Sequence, residues 1–420
     1  MPVIKRTALS RTSTSSTIST VSTLVEVPAD KHITCEQVLR LNLDRCHTCS
    51  TALALPLFTS LSAIHTDTVF QGKKLSIPPI TARLKKILTT HVAALSTPLR
   101  IVGLLASDDE GSATYATLTQ RACERNGVGF EIWHVDSQLD QAELQDARLA
   151  RFSRISADIK RANDDPTIDG LIVYFPIFGG SLDDALRTLI SPLIDVEGVN
   201  PESLRTSYSV PPAPLLHELK TEIPKDDPTT DRPEEAINYP CTPLAVVRCL
   251  QSIEGMYDMS KPAGQRLTGK IVTILNRSET VGRPLSAMLA NESATVYSFD
   301  IDTLHILSSH SSVSLSAAGP HCLMAVHDLS SAGCPKRDDV LGVSDIVISA
   351  VPSRGFIIPT RNLKQDAVCI NLAGESNFDS DVLDRASLYA ERVGAVTITC
   401  LQVNALILRA RRQVSSRDRD

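Results

Sequence analysis

The stretch Arg266–Asp300, RLTGKIVTILNRSETVGRPLSAMLANESATVYSFD, contains a strand, a tight turn, a helix start and a second strand. Lys270–Leu275 is a short apolar run rich in β-branched residues, which is typical of a buried parallel strand. Gly282 stands where the following helix should begin, because glycine lets the backbone approach a ligand closely. The second strand, Ala294–Phe299, ends at Asp300. The stretch therefore predicts a βαβ unit, the building block of an open α/β fold.

This unit has features of a dinucleotide-binding turn. Pro284 is preorganised for a first helical turn, and the positive end of a helix suits a pyrophosphate. Asp300 lies eighteen residues after Gly282, where a dinucleotide fold places the carboxylate that binds the adenosine ribose. The full G-x-G-x-x-G fingerprint is absent. The local pattern therefore leaves open an ordinary strand–turn–helix of an α/β protein.

The composition fits a soluble enzyme with two domains. A chain of 420 residues can bury two sizeable cores. Its net charge of −6 offers no basic surface for nucleic acid, and no apolar run is long enough to cross a bilayer. The ten cysteines are scattered, so we expect reduced thiols in the cytoplasm. Cys46-His47-Thr48-Cys49 has no second C-x-x-C pair at a suitable distance, and we therefore expect no metal.

Residues 1–70 differ from the rest of the chain. Residues 1–25 contain no acidic side chain and carry a Ser/Thr-rich run from Ser10 to Thr23, a composition that predicts a disordered tail. The alternative is a mitochondrial targeting segment, which is also Ser-rich and poor in acids. Against it, the basic residues of this tail stop at Arg11, and its β-branched residues oppose an amphipathic helix. We expect residues 1–70 to form an extension outside both domains.

Strands and helices alternate from about Ser76 onward, which predicts a parallel sheet covered on both faces. We assign residues 71–240 to a first domain, 241–397 to a Rossmann-type domain and 398–420 to a closing helix and tail. Residues 205–238 are rich in proline and charge and should form an enlarged surface loop. The predicted helices are Ile80–Leu95, Ala113–Asn126, Leu144–Asn163, Thr242–Glu254 and Ile398–Leu408, and further predicted strands are Leu99–Leu105, Phe130–Val135, Gly170–Phe175, Asp345–Pro352 and Val368–Leu372.

Several separated motifs resemble those of the methylenetetrahydrofolate dehydrogenase family, in the family's order. Val281-Gly282-Arg283-Pro284 is similar to its V-G-x-P turn, Asp195-Val196-Glu197-Gly198 to its D-V-D-G, and Pro240-Cys241-Thr242-Pro243 to its P-C-T-P. Asn276-Arg277-Ser278-Glu279 resembles the fungal monofunctional NAD-dependent branch. The resemblance runs from roughly Leu99 to Arg409. It implies two α/β domains around a cleft, an N-terminal parallel-sheet catalytic domain and a C-terminal Rossmann-type NAD-binding domain.

The resemblance also implies the substrate residues. Tyr115 would lie against the folate, and Glu197 would accept hydrogen bonds from the pterin amide and amino group, which a carboxylate can do in parallel. Tyr174 and Cys241 would stand beside the substrate or the nicotinamide. Each has a structural alternative: Tyr115 could pack half-buried on its helix, Glu197 could be a solvated turn acid, and a free cysteine is commonly a small buried hydrophobe.

The cofactor contacts implied by the resemblance come from four segments. Asp300 favours NAD over NADP because a 2′-phosphate would meet a like charge, and Arg277 is the one neighbour expected to compensate for it. Two segments depart from the family: Asn371-Leu372-Ala373 stands for its D-x-G, and Glu391–Thr397 keeps only part of its P-G-G-V-G-P-M-T. The expected cofactor-binding residues are Asn276, Arg277, Ser278, Val281, Gly282, Arg283, Pro284, Asp300, Ala350, Val351, Pro352 and Thr397.

The expected activity follows from one further position. The family's Tyr-x-x-x-Lys reads Tyr115-Ala116-Thr117-Leu118-Thr119 here, and a threonine cannot replace the lysine that cyclohydrolase chemistry needs. The resemblance thus implies NAD-dependent oxidation of 5,10-methylenetetrahydrofolate to 5,10-methenyltetrahydrofolate in one-carbon metabolism and purine biosynthesis, without cyclohydrolase activity. It further implies a homodimer and a closing helix that packs on the first domain. The alternatives are a bifunctional NADP-dependent dehydrogenase/cyclohydrolase and a catalytically silent folate- or dinucleotide-binding protein.

Overall fold

A computed structural model describes residues 72–106, 110–135, 144–209, 238–308 and 322–417 of the chain. The expected extension 1–70 and residues 210–237 of the expected loop lie outside this part. The described residues belong to one compact unit, His65–Asp420. Among them, no helix has the length and apolar character needed to cross a membrane.

The first domain is built on a three-stranded parallel sheet in the order β3-β2-β4. The central strand is apolar and buried over its last five residues, as expected for a parallel strand covered on both faces. In this strand, Ile101 pairs with Phe130 of β3 on one side and with Gly170 of β4 on the other. The elements are α1 (Ile77–Ala93), β2 (Arg100–Leu105), α2 (Glu110–Arg125), β3 (Gly129–His134), α3 (Leu144–Asp164), β4 (Gly170–Val173), α4 (Ser181–Leu189) and α5 (Pro201–Ser209).

The second domain is built on an eight-stranded sheet in the order β1-β11-β10-β9-β5-β6-β7-β8. The strand order reverses at β5, and ligands of open α/β sheets bind beyond the carboxyl ends of the strands at such a point. Its elements are β1 (Lys73–Lys74), α6 (Cys241–Gln251), β5 (Ile271–Leu275), α7 (Gly282–Ala290), β6 (Thr295–Phe299), β7 (Thr303–Ser308), β8 (Cys322–Asp328), α8 (Arg337–Leu341), β9 (Ile346–Ser349), β10 (Val368–Asn371), β11 (Leu388–Ala390) and α9 (Gly394–Arg417), with 3-10 turns at Thr360–Asn362 and Val382–Asp384. The predicted α/β architecture with two domains is confirmed.

An antiparallel addition to this sheet was not predicted. Strand β7 runs antiparallel to β6, and β8 antiparallel to β7. The chain reverses directly after β6, where the Asp300 N–H donates to the Thr303 carbonyl at 2.9 Å. Antiparallel strands need only such a short turn, whereas a parallel neighbour would need a crossover helix. Asp300 therefore lies in a tight turn at the rim of the sheet.

Three expected boundaries are wrong in detail. Lys73–Lys74 pairs with Leu388 and Tyr389 of β11, so the chain first adds a strand to the second domain before it enters the first. Helix α5 continues to Ser209, so the expected loop cannot begin at 205. Helix α9 begins at Gly394 rather than Ile398, since Val396 and Thr397 already donate to the Val393 carbonyl.

The long helix α9 packs on the first domain. Gln402 accepts a hydrogen bond from the Asn126 side chain at 2.8 Å. Arg409 lies 3.4 Å from the carboxylate of Asp169, which is almost fully buried. The Asn404 side chain donates to the carbonyl of Val196 at 2.9 Å. The helix thus ties the end of the chain to the loop that carries Glu197.

Candidate active site

The loop that carries Glu197 is built around one buried carboxylate. Asp195 is fully buried and accepts hydrogen bonds from the backbone N–H groups of Gly198 at 2.9 Å, Val199 at 3.2 Å and Asn200 at 2.8 Å. Three such bonds to one charged group hold a short loop rigidly. Asp195 therefore shapes the loop that carries Glu197.

A second set of contacts fixes the same loop from outside. Gly198 has φ +70°, and a Cβ there would lie 2.7 Å from the Pro240 nitrogen, so only glycine fits. The Cys241 N–H donates to the Glu197 carbonyl at 3.0 Å, and Asn404 holds the neighbouring Val196 and Tyr239 carbonyls at 2.9 and 3.0 Å. The D-V-E-G and P-C-T-P motifs, distant in sequence, thus form one structural unit.

Two side chains of this unit, Glu197 and Cys241, are held in their neutral forms. Burial, and then the charge of Asp195, raises the pKa of Glu197 to about 8. Burial also raises the pKa of the Cys241 thiol well above its ordinary value, so Cys241 is not a thiolate at neutral pH. Its backbone positions Glu197, and its thiol is a buried neutral group.

Tyr115 and Tyr174 stand beside this unit. Their ring centroids are 6.1 Å apart and the rings are nearly perpendicular, at 84°. Burial raises the pKa of Tyr115, and the next largest causes are Cys241 and Glu197, which places all three groups in one electrostatic neighbourhood. The structure thus brings together the four residues expected to contact substrate.

Thr119 lies behind the two tyrosines with no exposed surface. Its hydroxyl donates to the Tyr115 carbonyl at 2.8 Å. Burial raises the pKa of Tyr174. The expected lysine position is therefore a buried neutral hydroxyl that is hydrogen-bonded within its own helix, α2.

The Tyr115 cleft, a volume of about 650 Å³, opens between helix α2 and the start of helix α9. Thr397, which we expected at the cofactor, lines this cleft. Sequence reasoning missed Arg392, the cation among the described lining residues, because it stands in the divergent segment before α9. The described lining is Glu110, Gly111, Thr114, Tyr115, Leu118, Thr242, Leu372, Ala373, Gly374, Arg392, Val393, Gly394 and Thr397.

The turn after β5 requires its glycine. A Cβ at Gly282 would lie 1.9 Å from the Asn276 carbonyl oxygen, and Asn276 itself has φ +84°. Ser278 closes the turn: its hydroxyl accepts the Gly282 N–H at 3.4 Å and its carbonyl accepts the Arg283 N–H at 3.0 Å. These N–H groups are occupied, and Pro284 has none. The turn therefore offers a close approach to the backbone and the positive end of helix α7.

Arg277 is committed to the protein. Its guanidinium donates to the Ser298 carbonyl at 2.8 Å and to the Thr303 hydroxyl, and it lies 3.9 Å from the Asp300 carboxylate. Its side chain is 11% exposed, against 38% for Asp300. Arg277 thus braces the turn that presents Asp300, and Asp300 keeps an accessible face.

The Asp300 cleft, a volume of about 810 Å³, lies at the carboxyl ends of β5, β6 and β9. It contains four of the expected cofactor residues: Asn276, Asp300, Val351 and Pro352. Ala350 instead donates its N–H to the Leu275 carbonyl at 3.0 Å, and Arg283 forms an exposed ion pair with Glu279 at 2.8 Å. The described lining is completed by Leu275, Phe299, Ile301, Leu329, Cys334, Pro335, Lys336, Arg337, Asp338, Ser353 and Phe356.

The expectation that Arg277 is the one basic side chain near Asp300 is wrong. Lys336 and Arg337 also line the Asp300 cleft. The Arg337 guanidinium stacks 5.3 Å from the centre of the Phe356 ring. Lys336 precedes the short helix α8 and Arg337 begins it, and the fold brings both residues to the cleft. A count of charges along β6 alone could not find them.

Comparison with known proteins places these features in one family. Residues 71–197 match the tetrahydrofolate dehydrogenase/cyclohydrolase catalytic domain, and residues 240–331 match its NAD(P)-binding domain. A methylenetetrahydrofolate dehydrogenase [NAD(+)] from Dictyostelium discoideum is 31% identical over 81% of this chain and 96% of its own length. One from Saccharomyces cerevisiae is 35% identical over 73% and 85%.

A solved structure extends the comparison to the fold. The NAD-dependent 5,10-methylenetetrahydrofolate dehydrogenase from Saccharomyces cerevisiae superposes with a TM-score of 0.66 at 31% identity. The match covers 83% of this chain and 99% of that one. The sequence comparison and the structural comparison therefore match both described domains to methylenetetrahydrofolate dehydrogenases. The chain belongs to the tetrahydrofolate dehydrogenase/cyclohydrolase family.

Proposed function

We propose that this chain oxidises 5,10-methylenetetrahydrofolate to 5,10-methenyltetrahydrofolate with NAD. One arrangement of residues carries the proposal. The loop held by Asp195 presents Glu197 beside Tyr115, and the Gly282 turn and Asp300 lie at the edge of the adjoining sheet. The relatives bearing that activity in their names support it. The residues present fit a dinucleotide, because Gly282 lacks the side chain that would close the turn and Asp300 retains an exposed face.

The arrangement of these side chains suits hydride removal. Glu197 would accept the pterin N–H groups and orient the ring, with Tyr115 against the folate. When bound, NAD supplies the hydride acceptor, and the methylene carbon loses a hydrogen with its bonding electrons to leave the methenyl cation. No proton has to be moved in that step. Tyr115, Tyr174 and Cys241, all with raised pKa, therefore need not act as general bases.

A spectrophotometric assay distinguishes this function from its two alternatives. The purified chain is given 5,10-methylenetetrahydrofolate with NAD or with NADP, and reduced cofactor is followed by absorbance. We expect NADH formation with NAD. A bifunctional enzyme would instead reduce NADP and release 10-formyltetrahydrofolate, and a silent binding protein would bind either ligand without reducing any cofactor.

We predict no appreciable methenyltetrahydrofolate cyclohydrolase activity. Hydrolysis in the family depends on a lysine, and Thr119 is buried with its hydroxyl bonded to the Tyr115 carbonyl. The chain is mixed with 5,10-methenyltetrahydrofolate, and loss of its absorbance is compared with the spontaneous rate in buffer. Clear enzyme-dependent hydrolysis contradicts the prediction.

We predict that kcat/KM rises with pH toward about 8. Pterin donors need the carboxylate form of Glu197, and burial keeps the free enzyme's Glu197 protonated below that pH. Since the free enzyme's pKa governs kcat/KM, its value should fall about tenfold for each pH unit below the pKa. Initial rates at low folate concentration across this range provide the test, and a flat profile contradicts it.

We also propose a cytoplasmic homodimer that associates through the second domain. Strand β8 is the edge of the eight-stranded sheet, and Val326 on it is 56% exposed. An exposed apolar edge favours pairing with a second copy. Light scattering should give the mass of two chains, and Val326→Lys should shift it toward one. A wild-type mass of one chain at assay concentrations contradicts the dimer.

A further inference from the structure

Two buried asparagines form a hydrogen-bonded pair between the Asp300 cleft and the Tyr115 cleft. Asn371 ends strand β10 and is 2% exposed, and Asn377 has no exposed surface. The Asn377 N–H donates to the Asn371 side-chain oxygen at 3.1 Å. Neither residue lines a cleft, so any influence on a ligand must pass through the backbone that they hold.

Asn377 holds the loop 351–356, which lines the Asp300 cleft. Its side-chain oxygen accepts the Ser349 hydroxyl at 2.8 Å and the Val351 N–H at 3.1 Å. Its amide NH₂ donates to the carbonyls of Val351 at 3.1 Å and Phe356 at 3.3 Å. Val351 and Phe356 both line that cleft. One amide therefore fixes both ends of the loop.

Asn371 holds the loop 372–375, part of which lines the Tyr115 cleft. Its NH₂ group lies 3.0 Å from the carbonyls of both Ala373 and Glu375 and 3.4 Å from that of Glu391. Ala373 lines the cleft, and Glu391 precedes the lining residue Arg392. A carboxylate at this position would face these carbonyls without a hydrogen to donate. An asparagine can therefore hold this loop, whereas an aspartate could not.

We propose that Asn371 and Asn377 are positioning residues that couple the two clefts. A ligand that orders one loop also orders the shared amide pair, so the second ligand meets a loop that is already fixed. NAD and folate should then each tighten the binding of the other by the same factor, as thermodynamic linkage requires. The identity of the two ligands rests on the proposed function.

The test measures coupling rather than activity. NAD is titrated by calorimetry into the whole protein, first alone and then with saturating tetrahydrofolate, which lacks the methylene group and cannot donate a hydride. We expect tetrahydrofolate to lower the Kd of NAD by about fivefold or more in the wild type. In Asn377→Ala the ratio of the NAD Kd without tetrahydrofolate to the NAD Kd with it should fall to about one, while both ligands still bind.

Two further variants keep the test decisive. If Asn377→Ala does not fold, Ser349→Ala removes a single bond to the same amide outside both clefts and should reduce the coupling in part. The matched control is Asn163→Ala, which removes two hydrogen bonds, to Leu189 at 2.7 Å and from Ser191 at 3.0 Å, in the first domain. In Asn163→Ala, tetrahydrofolate should lower the Kd of NAD by the same factor as in the wild type.

The outcomes separate this inference from the proposed function. A wild type that binds both ligands without coupling overturns the coupling alone, as does a wild-type ratio retained in both Asn377→Ala and Ser349→Ala. A wild type that binds neither ligand contradicts the proposed function itself, and the inference with it.

Discussion

Replacing Glu197 with Gln should lower kcat/KM for 5,10-methylenetetrahydrofolate about 30- to 1000-fold, corresponding to about 2–4 kcal/mol of lost transition-state binding. Glutamine keeps the size of the side chain but turns one acceptor oxygen into a donor that faces the pterin's own donors. Initial rates at varied folate concentration measure the effect. The exposed Glu254→Gln serves as the control and should leave the rate unchanged. Wild-type kcat/KM in Glu197→Gln would show that the carboxylate is only a turn residue.

The same substitution should stabilise the folded protein at pH 8. Burial raises the pKa of Glu197 from 4.5 to about 8, so the unfolded chain releases this proton first as the pH rises. The wild type therefore loses stability across that interval, and Gln, which does not titrate, avoids the loss. The melting temperature of Glu197→Gln should exceed that of the wild type increasingly toward pH 8. This readout separates loss of the pterin anchor from misfolding.

Asp300→Ser should weaken a cofactor preference that favours NAD on the order of a hundredfold in the wild type. The 2′-phosphate of NADP would meet the Asp300 carboxylate, whereas the ribose hydroxyls of NAD can donate to it. Serine removes the repulsion, so the gain should come mainly from better use of NADP. The comparison requires kcat/KM for both cofactors in both proteins. Asp302→Ser, exposed two residues away, should change neither value. A wild type that prefers NADP refutes the assignment.

The structure makes this prediction sharper, because Lys336 and Arg337 line the same cleft. Once serine replaces Asp300, Lys336 and Arg337 remain to attract a phosphate. Arg277 stays bonded to Ser298 and Thr303. Adding Lys336→Ala to Asp300→Ser should therefore cancel part of the gain with NADP. An unchanged gain would show that Lys336 does not reach the phosphate.

The βαβ unit was predictable because its signals are local. Strand Ile271–Leu275, helix Gly282–Ala290 and strand Thr295–Phe299 lie within a few residues of the predicted bounds. A β-branched run fixes the first strand, and the Gly282 Cβ clash with Asn276 fixes the turn. The motif around Glu197 was recognisable for the same reason, since Asp195 makes its bonds within five residues.

Other features depend on contacts between distant segments, which one sequence does not display. Lys336 lies far along the chain from Asp300, and only the packing of helix α8 brings the two to one cleft. Asn371 looked like a loss of the family's aspartate until its contacts with three carbonyls were visible. Thr397 lines the Tyr115 cleft, and the start of α9 at Gly394, which sets its position, carries no strong local signal.

Transfer of deuterium from 5,10-methylenetetrahydrofolate, labelled at the methylene carbon, to NAD tests the central claim most directly. Mass spectrometry of the reduced cofactor identifies where its new hydrogen came from. We predict NADH that carries the label, in an amount equal to the methenyltetrahydrofolate formed. Unlabelled NADH, or methenyltetrahydrofolate formed without reduced NAD, would contradict hydride transfer between the two clefts.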